Sequence, residues 1–188
     1  MRKIIFVFLV LSLGFVSSVS SADDAECVGS KVILLIAEQN IEGPQMAWWA
    51  SEIDLSATET TIAKRLIEAG YEVLEPSNLA MVIEKNRAFR KVDLSDSDSV
   101  DLGNLSQADY VVLGKALASS GGNVPQSNFR SCFANLSVRL IRVEDGKVLA
   151  YIDATGSSAH TDVITGGREA LVKGAQELAT KIIEALKK

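Results

Sequence analysis

Ala108-Asp109-Tyr110-Val111-Val112-Leu113-Gly114-Lys115-Ala116-Leu117-Ala118 decides how the rest of the chain is read. The run is rich in β-branched and aromatic residues, and Gly114 would weaken it as a helix. Tyr110, Val112, Ala116 and Ala118 share one parity, and Val111, Leu113 and Leu117 share the other. A strand apolar on both faces is covered on both sides, which places this one inside a sheet. Residues 31–37, Lys-Val-Ile-Leu-Leu-Ile-Ala, carry the same signature and are expected to be a second central strand beside it.

Between these strands the pattern is helical. Ser56-Ala57-Thr58-Glu59 reads as a capping box, and Ile62, Ala63, Leu66, Ile67 and Ala69 follow as one apolar face up to a Gly70 stop. A short strand at 71–74 ends at Glu75-Pro76. Ser77 then opens a second helix with Leu79, Ala80, Val82 and Ile83 inward. Residues 93–101 are acidic and serine-rich and lead into a short helix near 100–105.

Downstream, Gly121-Gly122-Asn123-Val124-Pro125 is expected to end the opening strand in a loop. Residues 129–143 alternate as a long strand, with Cys132, Ala134, Leu136, Val138 and Leu140 inward and Ser131, Asn135, Ser137 and Arg139 partly wet. Glu144-Asp145-Gly146-Lys147 is a hairpin turn, and 148–157 returns with Val148, Ala150, Ile152 and Ala154 inward. Thr165-Gly166-Gly167 precedes a closing helix over 168–186 whose stripe includes Gly174 and Ala175. The order is β-α-β-α-(α)-β-β-β-α: an α/β (α+β) domain with a single mixed sheet of about five strands and helices packed on it.

The first residues read as an export signal. Arg2 and Lys3 precede an apolar stretch over 4–15, and Ser20 and Ala22 fit a cut before Asp23. Residues 1–22 are therefore expected to be a signal peptide, and 23–188 a single periplasmic domain. Asp23-Asp24-Ala25-Glu26 before Cys27 does not suit lipidation, so a lipoprotein is not expected. Removing Arg2 and Lys3 leaves 17 basic against 24 acidic residues, a mature charge of −7. That balance argues against nucleic acid or an anionic membrane as partner. No later stretch is long and apolar enough to span a bilayer.

Two cysteines, Cys27 and Cys132, would meet an oxidising compartment. A bridge would close a long loop worth roughly 4–5 kcal/mol, while an antiparallel course for the strand holding Cys132 would leave Cys27 at the wrong end of the sheet. Bridge and separate thiols both stay open.

Chemistry-bearing groups are few. His160 follows a strand among Ser157, Ser158, Thr161 and Asp162, without a Gly-x-Ser-x-Gly elbow, so a hydrolase is only a lesser alternative. Asp93, Asp96, Asp98 and Asp101 lack the central Gly and terminal Glu of a calcium loop and read as a solvated acidic stretch. No metal or cofactor is expected. Gly166-Gly167-Arg168 at a helix start matches neither a P-loop nor a dinucleotide fingerprint.

Residues 43–55 hold Gly43-Pro44, then Gln45, Met46 and the adjacent Trp48 and Trp49. Two neighbouring indoles in an irregular segment suit a docking hot spot led by Trp48, Trp49, Gln45 and Met46, or else a loop folded into the core.

Gly70-Tyr71-Glu72-Val73-Leu74-Glu75, the 108–116 run, the stretch 134–149 ending Glu144-Asp145-Gly146-Lys147-Val148-Leu149, and the closing Ala-rich helix together resemble envelope domains of the TolB amino-terminal type. That type includes the middle domain of flagellar assembly protein T, curli secretion lipoproteins and lipoprotein activators of penicillin-binding proteins. The resemblance covers nearly all of the mature chain. It implies a non-catalytic accessory or assembly protein that binds another envelope or flagellar component. It supplies no catalytic residues and leaves the oligomeric state open. A small-ligand-binding periplasmic protein is the other alternative.

Overall fold

A computed structural model describes residues 29–42, 56–74 and 94–188. The elements are β1 (Lys31–Gln39), α1 (Ala57–Glu68), β2 (Glu72–Leu74), α2 (Asp96–Leu105), β3 (Tyr110–Asn123), β4 (Arg130–Arg142), β5 (Val148–His160) and α3 (Val163–Leu186). They form one mixed five-stranded sheet in the order β2-β1-β3-β4-β5. β1 runs parallel to both β2 and β3, and β3, β4 and β5 are successively antiparallel. β1, β3 and β5 therefore all point the same way. The helix expected from Ser77 lies outside the described residues.

The two parities of the opening strand separate as expected. Val112 and Ala116 join Val32, Leu34 and Ile36 of β1 and Leu136, Val138 and Leu140 of β4 under α1 and α3, which supply Ile62, Leu66, Ala175, Leu178 and Ile182. Val111 and Leu113 join Ile33, Leu35 and Ile141 on the opposite face, under Leu94 and the Leu102 side of α2. Asp109 fastens the start of the sheet: it exchanges backbone bonds with Lys31 and Val143, and its carboxylate accepts from the Lys31 amide (2.7 Å). Its place in the Ala-Asp-Tyr sequence is thus structural. Among the described residues no helix is long and apolar enough to cross a membrane.

Four details differ from the sequence reading. β3 runs through Gly121 and Gly122 to Asn123 instead of breaking there, because the Phe133 ring of β4 lies where a Gly121 side chain would stand. A bulge between Leu140 and Ile141 shifts the register opposite the start of β5, so Val148 packs with the α2 face and not beside Ile152. α3 begins five residues early, at Val163, with Asp162 as its cap, and Gly166 and Gly167 lie buried inside its first turns. The acidic stretch is helical from Asp96 onward: Ser95 and Asp98 form a capping box, and Asp96 pairs with Arg139 at 2.7 Å.

Candidate functional site at the carboxyl end of the sheet

β1, β3 and β5 finish at the end of the sheet where α1 and α3 begin. The chain passes from β1 through α1 to β2 on one side, whereas β3 lies on the other side of β1. The carboxyl end of β1 is thus a topological switch point, the usual ligand crevice of an open α/β sheet. The connection emerging there is residues 43–55. Gln45, Met46, Trp48 and Trp49 lie outside the described residues, but both mounts of their segment are defined.

On the outgoing side, Asn40 Nδ2 donates to the Ile164 carbonyl of α3 (3.1 Å), and its Oδ1 accepts from the Ile41 amide (2.8 Å). This contact needs glycine at 167, since a Cβ there would fall 2.1 Å from Asn40 Oδ1. On the returning side, Ser56 Oγ caps α1 by accepting from the Glu59 amide (3.1 Å).

The sequence reading missed the group that joins the mounts. Glu38 Oε2 accepts from the Thr58 amide (2.8 Å), and Glu59 Oε1 accepts from the Ile36 amide (3.1 Å). Among the described residues β2 pairs with β1 from Lys31 to Ile33, and no described strand reaches the Ile36 amide. Glu59 fills that position while lying beside Ser56 at the start of its own helix. Both acids are buried, Glu59 to 2% exposure and Glu38 to 8%. Burial raises the Glu59 pKa from 4.5 to about 7; the Ile36 amide and the Ser56 hydroxyl pull it back, and the Glu38 charge pushes it further up. Glu59 Oε2 and Thr58 Oγ1 are buried without a hydrogen-bond partner. The available signal was Glu38 closing a wholly apolar strand.

His160 ends β5. Its Nδ1 accepts from the Asp162 amide (3.0 Å), while the Asp162 carboxylate caps α3 through the Thr165 amide and hydroxyl (2.8 and 2.6 Å). Those bonds hold the Asp162 pKa below the usual carboxylate range. Ser158 Oγ donates to the Gly166 carbonyl (2.6 Å). Serine and carboxylate are thus each committed to α3, and no Ser-His-Asp relay is assembled among the described residues. Cys132 is a free, buried thiol at this same end, 2.6 Å from where a Gly166 Cβ would stand. Gly29, two residues after Cys27, hydrogen-bonds to Gly70 at the opposite end of β1.

Beyond the cover of α2, no described element covers the other face of the sheet. Leu117, Phe133 and Tyr151 are exposed there. A depression of about 410 Å³ on this face is lined chiefly by hydroxyl and amide side chains, among them Ser119, Asn135, Thr155 and Ser157, beside Phe133. Small-molecule sites are ordinarily lined the other way, apolar with a few polar groups.

No family model matches the chain, and no curated protein matches it. Among solved structures it is similar to the LpoB C-terminal domain from Escherichia coli (18% identity, 72% of this chain and 87% of that one, TM-score 0.45). It is also similar to lipoprotein GNA1162 from Neisseria meningitidis (17%, 83% and 99%, 0.46) and to hypothetical protein CT253 from Chlamydia trachomatis (13%, 85% and 96%, 0.49).

Proposed function

We propose that this chain is an exported accessory protein that docks another cell-envelope protein through residues 43–55, with Trp48 and Trp49 as the anchors. The observation that carries the reading is the mounting of that segment. The described residues on either side of it lie at the switch point, tied down by Asn40, Ser56 and the Glu38–Glu59 pair. A rigid scaffold presenting an aromatic loop is the usual architecture of a recognition site. The resemblance to TolB-type domains agrees with an envelope role, and a flagellar component is one partner of that kind. In this reading the chain is cut after Ala22 and works in the periplasm without a lipid anchor.

The test is crosslinking in living cells with photoreactive residues at Gln45 and Met46, followed by affinity measurements on Trp48→Ala and Trp49→Ala. Loss of a hot-spot indole costs at least ~2 kcal/mol of binding. If the rings are core, the same variants lose roughly 3–5 kcal/mol of stability and the folded fraction binds normally, which overturns the reading.

A further inference from the structure

β5 is the last strand of the sheet and, among the described residues, pairs on one side only, with β4. Asp153, Thr155 and Ser157 share a parity, so their amides and carbonyls point away from β4. An edge strand of thirteen residues, with the backbone groups of alternate residues turned outward, is a template for another strand.

Here the template is occupied from within the chain. Lys181 Nζ donates to the Asp153 carbonyl (2.7 Å), and Lys173 Nζ donates to the Ser157 carbonyl (3.0 Å). Glu177, between them on α3, pairs with Lys181 at 2.7 Å. The three side chains are spaced i, i+4 and i+8 along the helix, and the two lysines take strand carbonyls four residues apart. They reach it because α3 lies directly on β5: a Cβ on Gly156 would stand 1.9 Å from the Ala170 carbonyl.

We propose that β5 is a strand-addition edge for a second copy of this chain, held closed by Lys173, Glu177 and Lys181. Antiparallel self-pairing about Thr155 sets Asp153 opposite Ser157 of the other copy, Tyr151 opposite Ala159, and no like charges together. β5 already accepts such a neighbour on its other side, where Ser137 of β4 donates to Asp153. Ammonium groups on strand carbonyls make charge-assisted bonds that an incoming amide must displace.

The experiment compares sedimentation of the parent with a Lys173→Ala, Glu177→Ala, Lys181→Ala variant. All three positions are exposed helix sites where alanine favours the helix. The variant is expected to dimerise at least tenfold more tightly than the parent. Adding Ser157→Pro, which removes one outward amide, is expected to restore parent behaviour. Thr155→Cys in the triple background should crosslink to itself on oxidation. A folded triple variant that sediments like the parent, or association that survives Ser157→Pro, overturns the proposal. If the triple variant does not fold, Lys181→Ala alone decides on the same criteria.

Discussion

Replacing Glu59 by glutamine removes a buried carboxylate whose pKa is raised, so it tests the buried pair directly. The folded pKa is about 7 against 4.5 in the unfolded chain. A carboxylate with a raised folded pKa contributes stability that is fully present below the unfolded value and is lost as pH rises through the folded one. At about 1.4 kcal/mol per unit, the wild type should lose about 3 kcal/mol from this group between pH 4.5 and pH 8. Glutamine keeps an oxygen for the Ile36 amide and carries no charge to desolvate. The Glu59→Gln chain should match the wild type near pH 4.5 and be more stable by about 3 kcal/mol at pH 8. Urea unfolding of both chains across that range measures it, and taking the difference cancels the other titrating groups. A wild-type-minus-variant difference that is flat from pH 4.5 to 8 would show that Glu59 stays ionised in the folded protein, and the reasoning would fail.

Gly156→Ala should destabilise by roughly 3 kcal/mol or more, because its Cβ would strike the backbone of α3 at Ala170 and Gly174; a melting temperature unchanged from wild type would contradict this. Ser56→Ala should cost about 1 kcal/mol through the lost α1 cap, read by chemical denaturation, and the neutral cap Ser56→Asn should recover part of it. Thiol titration of the unfolded, non-reduced periplasmic protein should find two free thiols. β1 alone is nine residues, about 30 Å, and Cys132 lies beyond its carboxyl end opposite Ser120. Two residues from Gly29 back to Cys27 reach about 7 Å, far too little for a bridge.

The central strands were legible because both parities of 31–37 and 108–113 are apolar, a local pattern that a doubly covered strand needs; Leu117, further along the same run, is exposed. Ile62, Leu66 and the closing-helix stripe were legible for the same reason, and Gly146, at φ 66°, marked its turn. The misread glycines were decided by partners distant in sequence. Gly121 breaks a strand only if nothing covers it, and Phe133 does. Gly166 and Gly167 read as a break before α3, yet they sit inside it to admit Cys132 Sγ and the Asn40 amide. Asp162, taken as a possible partner of His160, was the cap.

The least legible feature is also the most coherent. A sheet this small exposes backbone groups wherever a strand neighbour is missing, and α1 and α3 each fill one such place. Among the described residues the β2 pairing reaches Ile33, and Glu59 of α1 takes the Ile36 amide beyond it. No described strand lies beyond β5, and Lys173 and Lys181 of α3 take its Ser157 and Asp153 carbonyls. In both places a helix lying on the same face of the sheet sends charged side chains round to stand in for a strand. The two solutions differ in cost. The β5 edge is solvated, so its charges keep their water. At β1 the carboxylate is buried beside Glu38, so ionising it works against folding. A buried charge is an expensive substitute for a few more residues of β2. Its position sets a limit on the strand beside it: a β2-type neighbour reaching Ile36 would displace Glu59 from the Ile36 amide.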